Sequence, residues 1–298
     1  MANPKGILVS IGGAEDKGTD LEQGIIRRNN LNFFELAILK TVAKLIGSTD
    51  SRIEVATTAS QIPEEVGENY LSAFAKFGYH NVGILDIRNR EDVQQQGVVE
   101  RIRACDGFMF SGGNQLRLSS IFGGTESLDI LLDRYQNEDG FVISGTSAGA
   151  MAMSNTMIYE GNAADAHLKG EVKITTGLGL MQGVIIDSHF DKRGRFLRLA
   201  QAVSANPGAI GIGLGEDTAV IVREGTQLEC IGSGAVIIVD GRSIGHNNIA
   251  DIEFNSPISV EGIKVHILEA GNGYDLGLRE FLPMRSESPR MPPVMGSV

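Results

Sequence analysis

Only two cysteines, Cys105 and Cys230, occur in 298 residues. Both neighbour apolar, strand-like runs and offer no metal-ligand spacing. They read as inert buried thiols of a protein kept in a reducing compartment. Basic residues are also scarce: 26 Lys and Arg stand against 37 Asp and Glu, giving a net charge of −11 and a pI near 5.0. That balance argues against a nucleic-acid partner, which favours basic patches. No apolar run reaches transmembrane length, and Met1-Ala2-Asn3-Pro4-Lys5 leads straight into the strand-like Gly6–Ile11, so no signal peptide fits. The expectation is a cytoplasmic protein with no membrane contact. The G-x-G-x-x-G spacing is missing, so Gly12-Gly13-Ala14-Glu15-Asp16 is a poor dinucleotide loop and reads at first as a strand-exit turn. No internal repeat and no linker divides the chain.

What is present is an ordinary globular composition, 42% hydrophobic and 21% charged. A chain of this length buries one large core, or at most two domains. Strands are expected at 6–12, 52–58, 81–87, 106–111, 141–145, 184–189 and 209–214. A helix over 32–46 shows an apolar face of Phe34, Ile38, Val42 and Leu45 and ends at Gly47. A second has Pro63 in its first turn and Tyr70, Phe74 and Phe77 on one face. A third covers Asp92–Arg103 and a fourth Lys192–Val203. Strands alternating with helices predict an α/β fold, a mainly parallel sheet with helices on both faces. After residue 218 short strands at 219–222, 228–231 and 235–239, parted by glycine-containing turns, predict a C-terminal antiparallel meander. Residues 1–284 are expected to form one catalytic domain. The stretch 285–298, with Pro289, Pro292 and Pro293, reads as a disordered tail.

The most telling stretch is Gly145-Thr146-Ser147-Ala148-Gly149, directly after the apolar Phe141-Val142-Ile143. It reads as a buried strand, a sharp turn of small residues and a helix start. Such a turn lifts a serine hydroxyl out of the sheet, with helix amides near a developing oxyanion. The same pattern also serves packing alone. A serine nucleophile needs a base, and the base an orienting acid. His189 ends the apolar run Val184–Ile186-Asp187-Ser188, where strand ends converge on the crevice of an open α/β sheet. Glu216 follows the strand at 209–214 and is the leading acid; Asp187 and Asp217 are its rivals. The order Ser, His, acid differs from that of α/β-hydrolases. Beyond His189 come Arg193, Arg195 and Arg198, three guanidinium forks suited to carboxylates. A helix starting here would carry Arg195 and Arg198 on one face and turn Phe196, Leu199 and Ala200 inward. A second polar cluster ends the strand Phe108-Met109-Phe110: Gly112 or Gly113 offers an oxyanion amide and Gln115 a contact to substrate.

Together these segments resemble the cyanophycinases and, more distantly, aspartyl dipeptidase (peptidase E), of one serine peptidase family. The resemblance rests on Gly12-Gly13-Ala14-Glu15-Asp16-Lys17, Gly112-Gly113-Asn114-Gln115, Gly145–Ala150, the run from Asp187 and His189-Phe190 through Arg193, Arg195 and Arg198-Leu199, and Glu216-Asp217-Thr218-Ala219. They follow family order and span about residues 6–270. Aspartyl dipeptidases lack the triple-arginine pattern. The resemblance implies a class I glutamine-amidotransferase-like fold and a homodimer, with no metal or cofactor. It implies Ser147 as nucleophile, His189 as base and Glu216 as acid, with amides of Ala148 and of Gly112 or Gly113 as oxyanion hole. It makes the Gly12-Gly13 turn active-site wall and puts Gln115, Asp187, Arg193, Arg195 and Arg198 in a substrate pocket. Ser188 stands in that pocket where these enzymes typically have glutamine. The implied reaction is hydrolysis of cyanophycin or another Asp-containing isopeptide. A dipeptidase acting on Asp-X or isoaspartyl peptides and a silent binding protein are the alternatives.

Overall fold

Runs of apolar residues bounded by Gly, Asp and Ser become the parallel half of a nine-stranded sheet. The computed structural model describes residues 3–15 and 37–283. Strands β1 (Ile7–Ile11), β2 (Ile53–Ala56), β3 (Val82–Leu85), β4 (Gly107–Phe110) and β5 (Val142–Thr146) lie in the order β1-β5-β4-β2-β3, all parallel. Burial of every residue of β2, β4 and β5 is what a sheet covered on both faces requires. Register sets Ile11 beside Thr146 and Phe110 beside Gly145, so three strands end at one level.

A hairpin of β6 (Thr156–Glu160) and β7 (Lys173–Thr176) leads to a second sheet. Its first strands, β8 (Val184–Asp187) and β9 (Ile210–Leu214), are parallel. The chain then returns to the main sheet with β10 (Thr218–Arg223), antiparallel to β1, and β11 (Gln227–Gly232). β12 (Val236–Asp240) crosses back to pair with β9. After the short pair β13 (His246–Asn247) and β14 (Val260–Glu261), β15 (Lys264–Leu268) edges the second sheet. β16 (Gly273–Asp275) and β17 (Glu280–Leu282) edge the first.

The helices among the described residues are α1 (Ala37–Ile46), α2 (Pro63–Ala75), α3 (Gln96–Ala104), α4 (Gln115–Phe122), α5 (Glu126–Asn137), α6 (Ala148–Ala152) and α7 (Phe196–Ala205). One face of the main sheet packs Val9, Ile11, Val55 and Met109 against Ile38, Leu39 and Val42 of α1 and Tyr70 and Phe74 of α2. The opposite face, with Leu8, Phe108, Phe110 and Ile143, shares one core with Leu118, Leu128 and Leu131 of α4 and α5 and with Ile186, Ile212 and Ile238 of the second sheet. Phe108, Phe110 and Phe122 meet edge-on there, at 4.9–6.4 Å between centroids, and fix α4 beneath the end of β4. The outer face of the second sheet is covered by Leu199 and Val203 of α7.

The α/β class holds, with antiparallel strands in the C-terminal third, but the details differ from the sequence expectation. The three-stranded meander is divided: only β10 and β11 stay in the main sheet, and β12 leaves it. The helix expected at Asp92–Arg103 breaks after one 3₁₀ turn at Asp92–Gln94. The Asp92 carboxylate accepts from the amides of Arg88 and Asn89, Asn89 Oδ1 accepts from those of Glu91 and Asp92, and Gln95 is extended. The helix expected from Lys192 begins only at Phe196, because Gly194, at φ +58, closes a turn first. Helices α4 and α5 were not expected, although Asn114 and Thr125 cap them with side-chain acceptors. Residues 32–36 of the first helix and the tail at 285–298 lie outside the described residues. Among those described, no helix is long and apolar enough to cross a membrane.

Candidate active site

The ends of β5, β8 and β9 converge beside the end of β1. Ser147 follows β5 at φ +50 and ψ −109, a left-handed conformation that costs a residue with a β-carbon about 1–3 kcal/mol. The residues two before it and two after it must be glycine. A β-carbon on Gly145 would come 2.6 Å from the Gly149 carbonyl carbon, and one on Gly149 would come 2.4 Å from the Phe110 oxygen. The sharp turn exists because two backbones touch where side chains are missing.

Ser147 Oγ lies 2.9 Å from His189 Nε2, and His189 Nδ1 lies 2.8 Å from Glu216 Oε1. A carboxylate only accepts, so Nδ1 donates to Glu216 and Nε2 is left to accept the serine proton. The imidazole is 15% exposed and the Glu216 side chain 25%, so the line is open at one edge. The Glu216 amide donates to Asp191 Oδ1 at 3.2 Å. Neither rival acid reaches the ring. Asp187 is engaged elsewhere, and Asp217 accepts from Ser233 Oγ. Such a line transfers a proton from hydroxyl to imidazole while a carboxylate holds the cation that forms.

Gly112 and Gly113 run past the serine. A β-carbon on Gly112 would stand 3.4 Å from Ser147 Cβ; Gly113, at φ +141, is pressed so close to Ala59 that a β-carbon would fall 2.0 Å from its carbonyl oxygen. Ala148 opens α6 directly after the serine. Gln115 is turned the other way at its amide nitrogen, which donates to Ile158 O at 3.0 Å and Tyr159 O at 3.3 Å on β6.

The arginine cluster departs from the pocket expectation. Arg195 and Arg198 do share one face, but that face points inward. Arg198 grips the fully buried Asp187 with two nitrogens, Nε at 2.8 Å from Oδ2 and Nη2 on Oδ1, and Nη1 donates to Gly161 O. Arg195 Nη1 adds Asp187 Oδ1 at 3.0 Å and Ser188 O at 2.7 Å. Burial, together with the charges of Arg198 and Arg193, pulls Arg195 down to about 10, and Asp187 opposes that fall. Asp187 is therefore closed to an incoming guanidinium by two of the chain's own. Ser188 is buried, its hydroxyl donating to Met151 Sδ at 3.3 Å. Of the three arginines only Arg193 is exposed. Phe196, expected inward, is 41% exposed, while Leu199 and Ala200 are buried.

Sequence reasoning missed a contact beneath the turn. Glu15 is fully buried, and its carboxylate accepts from Thr146 Oγ1 at 2.5 Å and from Tyr70 Oη at 3.0 Å. The signal was an acid four residues after β1 and a threonine before the serine, two side chains that no spacing rule connects. The cysteines lie outside the site. Burial pushes Cys105 up to about 11 and Cys230 up to about 12. At pH 8 the thiolate fraction is then about 10⁻³ or less. Neither thiol should react with a water-soluble disulfide reagent until denaturant is added. Rapid release of one equivalent from the native protein would contradict this.

A model of peptidase family S51 matches residues 33–230. A cyanophycinase from Synechococcus elongatus is 36% identical over 273 residues, which cover 91% of this chain and 80% of the relative. One from Nostoc sp. (strain PCC 7120 / SAG 25.82 / UTEX 2576) is 35% identical over 283 residues, covering 95% and 89%. The crystal structure of a peptidase from an acI-B1 Actinobacterium superposes with a TM-score of 0.65 at 19% identity, over 92% of this chain and 98% of the other, a likeness of fold.

Proposed function

Because this chain belongs to peptidase family S51 and is a serine-type peptidase, we propose that it is an exopeptidase that hydrolyses cyanophycin, multi-L-arginyl-poly-L-aspartate, to β-Asp-Arg dipeptides. The observation that carries the mechanism is the hydrogen-bonded line from Ser147 through His189 to Glu216. Ser147 attacks the scissile carbonyl. His189 takes the hydroxyl proton and returns it to the leaving amine, and Glu216 holds the imidazole and stabilises its cationic form. Amides of Ala148 and of Gly112 or Gly113, which border the serine, receive the oxyanion. Water then repeats the sequence on the acyl-enzyme, with His189 again as base.

The polymer carries carboxylates and guanidinium groups, and the exposed groups beside the crevice complement both. Arg193 is an exposed cation open to a substrate carboxylate, and the carbonyl end of Gln115, without a hydrogen-bond partner among the described residues, is an acceptor. Arg195 and Arg198 contribute by holding Asp187, two residues before the base. A cytoplasmic homodimer belongs to the same reading, its dimeric state carried by the family resemblance.

The deciding experiment incubates purified protein with cyanophycin and identifies the products by mass spectrometry. Dipeptides of aspartate and arginine are expected, with undegraded polymer shortening in step. Cleavage of short Asp-X or isoaspartyl peptides with polymer untouched would overturn the substrate and make the protein a dipeptidase. No cleavage of either, with Ser147 unlabelled by a fluorophosphonate, would leave a binding protein of the same fold.

A further inference from the structure

Three consecutive carbonyls, starting at the last residue of β1, serve all three turns of the site. Ile11 O accepts from the amide of Ser147 at 2.8 Å, Gly12 O from that of His189 at 2.8 Å, and Gly13 O from that of Asp217 at 3.0 Å. The Gly12 amide in turn donates to Thr218 O at 2.8 Å. The donors are thus the proposed nucleophile, the proposed base and the residue after the proposed acid. They share a second property: φ is +50 at Ser147, +48 at His189 and +48 at Asp217. Residues with a β-carbon rarely adopt that geometry, and it persists only where the surroundings hold it. Here each strained residue is held by one carbonyl of a single short segment.

We propose that residues 11–15 are a positioning template, which sets the nucleophile, the base and the acid at working distance although they come from two different sheets. The proposal rests on the mechanism given above and extends it to residues that touch no substrate. Glycine is required at the template's two central positions. A β-carbon on Gly12 would lie 1.9 Å from Gly215 O, against the loop that carries Glu216. Gly13, at φ +104, forms a floor for the imidazole: a β-carbon there would stand 2.5 Å from both Cε1 and Nε2 of His189. A methyl at this point pushes on the nitrogen that must accept the serine proton. Glu15 completes the template from the other side, holding Thr146, the residue before the nucleophile, by its hydroxyl. A displacement of about 1 Å at a catalytic group costs on the order of 100-fold in rate, so a small shift of this segment is enough to uncouple the site.

The test compares the full-length wild type with Gly13→Ala, Thr146→Val and Thr146→Ser. Three quantities are read: kcat, KM on cyanophycin, and the second-order rate at which a fluorophosphonate labels Ser147. Gly13→Ala should lower kcat and the labelling rate together by about 100-fold or more, with KM changed by less than about threefold. Thr146→Val removes the hydroxyl that meets Glu15 at nearly constant shape and should lower both rates about 10-fold, whereas Thr146→Ser keeps the hydroxyl and should restore them. Labelling of Gly13→Ala at the wild-type rate overturns the template. Should Gly13→Ala fail to fold, the threonine pair decides: equal rates in the Val and Ser variants overturn the proposal, and loss in Val with rescue in Ser supports it. A wild type that is itself unlabelled at Ser147 removes the underlying mechanism, an outcome distinct from a labelled wild type whose variants behave normally.

Discussion

Ser147→Ala will leave the fold in place and abolish hydrolysis. The turn already excludes β-carbons at Gly145 and Gly149 but accommodates one at residue 147, and alanine keeps that carbon while removing only the hydroxyl. Loss of a nucleophile from a triad lowers kcat on the order of 10⁶-fold. The measurement is single-turnover release of product from cyanophycin, paired with a thermal melt that should coincide with the wild type. His189→Ala should be nearly as inactive. Glu216→Gln should be milder, since the amide still occupies the place beside Nδ1. Full activity in Ser147→Ala would remove the serine from the reaction and with it the proposed mechanism.

The second large effect concerns stability. Asp187 is fully buried and is the shared anion of Arg195 and Arg198, whose side chains are only 12% and 6% exposed. Asp187→Ala strands two guanidinium groups in the interior. Breaking a buried pair by deleting one partner costs about 3–5 kcal/mol, and Tm should fall by about 10 °C. Arg198→Lys should also lower Tm, because a single ammonium cannot reproduce the two-nitrogen grip on the carboxylate. Arg193→Lys, at an exposed position, should stay within about 0.5 kcal/mol of wild type. Melts of the three variants beside their kinetics test this. An unchanged Tm in Asp187→Ala with KM raised would mean that the carboxylate serves the substrate and not the fold.

This second expectation inverts the one that the sequence suggests, and the reason is physical. The spacing of Arg195 and Arg198 tells that they share a helix face; it does not tell whether that face looks at solvent or at Asp187. Ion-pair partners are chosen by tertiary packing, which a linear pattern does not contain. Residues with local signals fared differently. The run Phe141-Val142-Ile143 followed by Gly-Thr-Ser-Ala-Gly specifies its strand and turn through burial and missing side chains, and the alternation of such runs with helices specifies the sheet class. Where hydrogen bonding by polar side chains competes with a helix, as at Asn89 and Asp92, apolar periodicity misplaced the boundary. The departure of β12 from its expected meander depends on the second sheet, which no local pattern announces. The Thr146 and Glu15 contact joins residues remote in sequence, and nothing in either neighbourhood points to the other.

The pairing of β1 with β10 carries a consequence for the life of the protein before it is finished. Ile11 meets its partner Ala219 only after nearly three quarters of the chain has been made, and Gly12 waits as long for Thr218 O. Contacts of such separation form late, because the intervening loop must close first. The serine turn, held by Ile11 of β1 and packed on Phe110 of β4, uses only partners made before it and needs no such delay. A ribosome-bound chain can therefore form the turn around Ser147, the proposed nucleophile, while His189 and Glu216, its proposed partners, are still unmade or undocked. On the proposed mechanism, hydrolytic competence waits until the strand after Glu216 pairs with the first.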